Sequence, residues 1–107
     1  MSSMKDREEG FERKFAFDEE LRFKASARRN KALGLWASEK LGKSGADAEA
    51  YAKAVVVADF QEAGDEDVVR KVKNDFALAN INTSDAEIRS VMTELFLKAA
   101  EDIQAGR

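Results

Sequence analysis

The sequence predicts an all-α protein, a four-helix bundle with a long first helix and a mobile N-terminal arm. The 107 residues include no proline, so long uninterrupted helices are possible. Alanine is abundant and β-branched runs are few, which favours helices over strands. Apolar residues recur at helical spacing in successive stretches that short polar turns separate. Short connections between helices predict neighbours that pack largely antiparallel.

The length predicts one structural core, with an N-terminal arm at residues 1–17 and the bundle domain at residues 18–107. A helix in the first segment would place Met4, Phe11 and Phe15 on one face. Two interpretations stay open here. The segment either begins the first helix and packs on the bundle, or it is an arm that folds into a partner's groove.

The first helix is predicted from Asp18 to Leu41, and it is the longest. Its acidic start suits the positive end of the helix dipole, and Gly42 supplies a stop. Arg28 falls within the angular range of its apolar stripe. The residues of that stripe are Phe17, Leu21, Ala25, Ala32, Leu35 and Trp36.

The second helix is predicted from Gly45 to Ala63, because Ser44 followed by Asp47 resembles a capping box. Asp59 lies in its apolar stripe, where a carboxylate is costly unless it is paired. The other stripe residues are Ala48, Ala52, Val55, Val56, Phe60 and Ala63. We predict that Asp59 pairs with Arg28 or Arg29 of the first helix.

The third helix should be capped by Asp65 and end near Asn80. Its inward residues are predicted to be Val68, Val69, Val72, Phe76 and Ala79. Ser84 and Glu87 form a full capping box for the fourth helix, which should run to about Gln104. The apolar residues of the fourth helix are Ile88, Val91, Met92, Leu95, Phe96, Ala99 and Ile103.

Composition excludes several classes of function. Cysteine and histidine are both absent, which excludes disulfides, thiol catalysis, the usual zinc sites and histidine-based catalysis. We therefore expect no enzyme, no metal site and no required cofactor. The net charge of −3 gives no overall attraction to nucleic acid. No apolar run reaches the roughly 20 residues that span a bilayer, and the N-terminus is too acidic for a signal peptide, so we expect a cytoplasmic protein.

A basic run from Arg22 to Lys31 interrupts this acidic chain. It could bind phosphates, which gives one hypothesis: a helical nucleotide- or nucleic-acid-responsive binding module. Its charges are spread around the helix rather than set on one face, and the stretch from Asp47 to Asp67 is acidic. In the alternative interpretation, the two charged stretches pair with each other or stay solvated.

Five segments resemble the zeta subunit family of alphaproteobacterial F-type ATP synthases, which are four-helix proteins. The similarity covers essentially the whole chain, and the order and spacing of the segments are typical of that family. The segments are FERKFA at 11–16, DEELRFK at 18–24, ARRNK at 27–31, LGLWA at 33–37 and VVADFQEAGDEDVV at 56–69.

The resemblance implies an inhibitor of ATP hydrolysis by the synthase. The family's N-terminal segment inserts as a helix at a subunit interface of the catalytic head and blocks rotation. On this chain the implied partner-binding residues are Met4, Phe11, Arg13, Lys14, Phe15 and Phe17. Phe17 stands where the family has histidine, so pH-dependent behaviour built on that residue is not expected here.

The resemblance also implies weak binding of adenine nucleotides, for which Arg28, Arg29 and Lys31 are the available cations. The implied partner is the catalytic head of the F-type ATP synthase, with no nucleic acid and no direct membrane insertion. We expect a monomer when free, and a peripheral location at the inner membrane through the enzyme.

Overall fold

The structure is a computed structural model, and it describes residues 19–59 and 65–107. These residues form four α-helices and no strand, which confirms the predicted all-α four-helix fold. The helices are α1 (Glu19–Lys40), α2 (Gly45–Ala58), α3 (Glu66–Leu78) and α4 (Asp85–Gln104). The predictions for the arm, for Asp18, and for Phe60 to Ala63 at the end of the second helix lie outside the described residues.

Three of the helices end in the same way, with one residue of positive φ just beyond the helix. Gly42, Asn80 and Gly106 have φ values of 76°, 60° and 78°. After each, the backbone N–H groups bond back to carbonyls of the last turn, as with Ile81 N–H to Phe76 O at 2.8 Å. This is the Schellman arrangement, and glycine or asparagine suits its left-handed residue.

The two predicted capping boxes have different outcomes. The Ser84 hydroxyl accepts a hydrogen bond from the Glu87 N–H at 3.1 Å, so this cap of α4 is confirmed. The Ser44 side chain makes no capping bond, although α2 does begin at Gly45. Here the Ser44 carbonyl oxygen accepts from the Asp47 N–H at 3.2 Å, which satisfies the first turn through the main chain.

α1 lies between α2 and α4 and contacts both. Its approach to α2 is close, because a Cβ built on Gly34 would lie only 2.5 Å from the Ala52 Cα. Ser38, one turn later, is fully buried, and its hydroxyl donates to the Gly34 carbonyl at 2.7 Å. Only glycine fits at position 34, so this crossing fixes how α1 and α2 pack.

The buried apolar residues form two clusters. The main core joins all four helices and contains Leu33, Ala37, Tyr51, Val55, Val68, Val69, Val72, Phe76, Ile88 and Met92. Trp36 packs against it, with its ring 5.7 Å from that of Phe76. A smaller cluster of Ala25, Ala99 and Ala100 joins α1 to α4 near the start of α1. Leu21, Phe96 and Ile103 pack against this smaller cluster. The main core therefore holds the second half of α1, and the smaller cluster holds the first.

The predicted core face of the first helix is partly wrong. Leu35 is 37% exposed, Arg28 is exposed and Ala32 is only half-buried. The buried residues of α1 are instead Ala25, Arg29, Asn30, Leu33, Gly34, Ala37 and Ser38. They form two adjacent rows at spacings of four, because α1 packs on two neighbours rather than one.

Ala79 was predicted to face inward from the third helix, but it is exposed. α3 ends at Leu78, and Ala79 is already the capping residue, so its side chain no longer follows the buried face. In the described part of the chain, no helix is both long and apolar enough to cross a membrane.

Candidate functional site

The predicted partner-binding residues precede α1 directly. All six lie outside the described residues, so their contacts stay predictions: Met4, Phe11, Arg13, Lys14, Phe15 and Phe17. The described element that follows them in the sequence is α1, whose first turn carries Glu19 and Glu20. α1 is therefore the described helix to which the predicted partner-binding segment is attached.

The cations of α1 have different surroundings. Exposed Lys24 pairs with Glu20 at 3.2 Å, and Lys31 lies 4.0 Å from Glu49 of α2. Exposed ion pairs of this kind stabilise a fold by no more than about 1 kcal/mol. Arg28 is exposed, and its Nη1 donates to the Arg107 carbonyl at 3.0 Å.

Arg29 is different, because its side chain is only 7% exposed. Its Nη1 and Nη2 donate to the two carboxylate oxygens of Asp65 at 3.2 and 2.8 Å. Its Nε and Nη2 also donate to the Asn30 side-chain oxygen at 3.1 and 3.0 Å. The guanidinium lies 5.9 Å from the centre of the Phe96 ring. This arginine therefore ties α1 to the start of α3 and to α4 with several directional contacts.

The prediction that Asp59 pairs with Arg28 or Arg29 is wrong. Arg29 pairs with Asp65, and the ion pairs of the described residues include none between Asp59 and either arginine. α2 ends at Ala58, and Asp59 is its C-cap, so it does not occupy the mid-helix position that the prediction assumed. Asp65 was predicted as a helix cap, but its carboxylate makes no capping bond.

Asp65 is the first of three consecutive acids, and each pairs with a different arginine. Glu66 binds Arg89 of α4 at 2.7 Å, and Asp67 binds Arg70 of its own helix at 2.9 Å. The start of α3 is thus connected by charge to α1, to α4 and to itself. This agrees with the interpretation in which the basic and acidic stretches pair internally.

The three cations proposed for nucleotide binding do not converge. Arg29 is buried in its pair, whereas Arg28 and Lys31 contact Arg107 and Glu49. An open groove in the bundle lies elsewhere, between α3 and the start of α4. It is lined by Glu66, Val69, Arg70, Lys73, Asn74 and Asp85. The Lys73 ammonium, hydrogen-bonded to Asp85 at 2.7 Å, lowers the pKa of that carboxyl group.

A polar contact between α2 and α3 went unpredicted. The Tyr51 hydroxyl donates to Asp75 at 2.8 Å, and Lys71 binds the same carboxylate oxygen at 3.1 Å. Burial raises the pKa of Tyr51 well above its usual value, and the hydrogen bond to Asp75 adds to the shift. The tyrosine is therefore neutral at physiological pH, and it connects helices rather than supplying an acid or base.

One sequence signal could have located the buried polar groups. Asn30, Gly34 and Ser38 are spaced by four, which marks a row of small or polar residues along one side of α1. Such a row indicates a close helix neighbour rather than solvent. Because the row contains no large apolar residue, the spacing of apolar residues alone does not reveal it.

Comparisons with known proteins are consistent with this architecture. The model of the family described as ATPase inhibitor subunit zeta matches residues 1–102. A structure solved by solution NMR is 47% identical, with a TM-score of 0.70, and the alignment covers 81% of this chain and 99% of that chain. No curated protein matches the chain at a significant level.

Proposed function

This chain belongs to the ATPase inhibitor subunit zeta family, and we propose that residues 1–17 carry the inhibition. In this proposal the segment inserts as a helix at a subunit interface of the catalytic head of the F-type ATP synthase. It blocks rotation there, and the bundle holds it in place. Membership of this family supports a role as a regulatory ATPase inhibitor.

The match of the family model to residues 1–102 carries this proposal. It begins at the first residue, so the likeness to inhibitor subunits includes the segment before α1 as well as the four helices. An inhibitor of ATP hydrolysis by the synthase must contact that enzyme. The protein would accordingly be found at the inner membrane as a peripheral component, through the synthase.

The charge pattern of the described bundle also favours the preceding segment as the surface that binds the enzyme. Four cations of α1 already contact other residues of the chain, namely Lys24, Arg28, Arg29 and Lys31. In the second half of the helix, Leu33 belongs to the main core and Trp36 packs against it. These residues serve the fold, and a partner would have to displace their contacts to use them.

The segment has the composition of a helix that docks in a groove. Met4, Phe11 and Phe15 would share one face, and fully burying one such side chain is worth about 1.5–3 kcal/mol. Arg13 and Lys14 lie between the two phenylalanines and can set register against acidic groups of the partner. The apolar face would provide affinity, and the charges would provide orientation.

A pair of variants tests the proposal. Phe11→Ala with Phe15→Ala should raise the concentration for half-inhibition of the ATPase at least about tenfold, because two buried anchors are lost. The matched control is Leu78→Ala, since Leu78 is an apolar side chain of the bundle that is 85% exposed. It should leave inhibition unchanged. Equal inhibition by the double variant and the control would contradict the proposal.

The alternative function, a nucleotide- or nucleic-acid-responsive module, has less support. Arg28, Arg29 and Lys31 contact three separate partners, and Arg29 is buried. Phosphate binding by all three would break the Arg29–Asp65 pair. Weak nucleotide binding through the exposed cations stays a prediction.

A further inference from the structure

We propose that Arg29 is a positioning residue for inhibition. Its pair with Asp65 fixes the direction in which α1, and the segment attached to it, leaves the bundle. This inference rests on the proposed function, because a direction matters only if the preceding segment must reach a defined place on the enzyme.

The two halves of α1 are held very differently. In the second half, Gly34 packs directly on Ala52, and the Ser38 hydroxyl lies 3.5 Å from the Ala48 carbonyl. These contacts run in opposite directions along the two helices, so α2 lies antiparallel to α1. In the first half, Leu21, Phe96 and Ile103 pack against the buried alanines of the smaller cluster. Apolar contacts of this kind are non-directional.

Arg29 lies between these two regions, one turn before Leu33 of the main core and one turn after Ala25. Its fork binds both oxygens of Asp65, and Asn30 holds the other edge of the same guanidinium. Arginine bound in this way resists rotation, because two parallel hydrogen bonds fix its plane. Among the described residues, Arg29 joins the first half of α1 to the start of α3 by directional hydrogen bonds.

A small change at this point has a large effect further out. The first described residue, Glu19, precedes Arg29 by ten positions, or about 15 Å along a helix at 1.5 Å per residue. A change of about 10° in the direction of α1 would move its start by about 3 Å. Specific docking does not tolerate a displacement of that size without loss of contacts.

The chain offers a matched control in the next acidic residue. Glu66 pairs with Arg89 at 2.7 Å, but these side chains are 64% and 45% exposed and join α3 to α4. Arg89→Lys therefore makes the same exchange in a similar arginine–carboxylate pair at the same end of α3, without touching α1. A second control is Val72→Ala, which destabilises the core away from this contact.

The experiment measures direction and inhibition in the same variants. The sequence has no cysteine, so Arg22→Cys on α1 and Asn74→Cys on α3 give two spin labels with no background. Arg29→Lys should broaden the distance distribution between them and raise the half-inhibitory concentration about fivefold, as expected for one lost two-pronged charged contact. Arg89→Lys and Val72→Ala should change neither.

The outcomes separate this inference from the proposed function. Unchanged distances in Arg29→Lys would overturn the inference whatever the inhibition, and so would broadened distances with unchanged inhibition. Equal loss of inhibition in Val72→Ala would reduce Arg29 to a general stability role and also overturn it. If Arg29→Lys does not fold, Asp65→Asn breaks the same pair from its half-exposed side. If the unmodified protein does not inhibit, the proposed function itself fails.

Discussion

The two halves of α1 show how one helix can serve two purposes. From Leu33 to Ser38, small and apolar residues pack tightly between α2 and α4, and Gly34 admits no side chain at all. Near its start, α1 is mostly charged, and Phe23 is 61% exposed. The tightly packed half anchors α1 rigidly in the bundle. The first half leads towards the segment that we propose to be inhibitory, and Arg29 connects the two.

The largest effect on the packed half is expected from Gly34→Ala. The new Cβ would meet the Ala52 Cα at 2.5 Å, so α1 and α2 must move apart. We expect a loss of about 2 kcal/mol, since overpacking of up to about 3 kcal/mol exceeds the roughly 1 kcal/mol gain in helix propensity. Denaturant unfolding measures it. Gly42→Ala is the control: its site is open, and only the positive φ of 76° costs stability, about 1 kcal/mol. An equal effect at both sites would refute the close crossing.

Substitution of two serines tests whether the helix N-caps stabilise the bundle. Ser84→Ala should destabilise the bundle by about 1 kcal/mol, because the hydroxyl accepts from the Glu87 N–H. Ser44→Ala should cost a few tenths of a kcal/mol at most, since that side chain makes no capping bond. Thermal or denaturant unfolding of the two variants side by side decides the point. A larger loss at Ser44 would show that the two caps are wrongly assigned.

Tyr51 makes the stability of the bundle sensitive to alkaline pH. Its pKa is raised in the folded state, so the unfolded chain loses the proton first, and stability falls as the pH rises above about 10. Tyr51→Phe should cost about 1 kcal/mol at neutral pH and weaken this alkaline loss. The chain has one tyrosine, so ultraviolet absorbance of tyrosinate follows it directly. Ionisation near pH 10 in the folded protein would contradict the buried bond to Asp75.

The sequence predicted the four helices well because their signals are local. The glycine stop after α1 and the Ser84 cap depend on neighbouring residues only. The face of α1 was predicted less well, since helical spacing cannot show that a helix has two neighbours. The partner of Arg29 was missed because the choice between Asp59 and Asp65 depends on where α2 ends. Partners distant in sequence are set by tertiary geometry.

The smallest effect concerns nucleotide binding by the exposed cations. The exposed Arg28 side chain donates to the main-chain oxygen of Arg107, so ATP phosphates could displace that contact at little cost. We expect weak, salt-sensitive shifts of amide signals near Arg28 and Lys31 in an NMR titration, and their loss in Arg28→Ala. Arg89→Ala, which removes an exposed arginine of α4, is the control. Shifts centred on Arg29 would instead show that the buried pair opens.

The measurement that tests the central claim most directly is inhibition of the F-type ATPase by the chain without residues 1–17. We predict that the truncated protein keeps its helical content and its unfolding midpoint, because α1 begins at Glu19 and the core lies beyond it. Its inhibition should be lost at every concentration at which the full chain inhibits. A folded, truncated protein that inhibits as well as the full chain would place the inhibitory surface on the bundle and contradict the account.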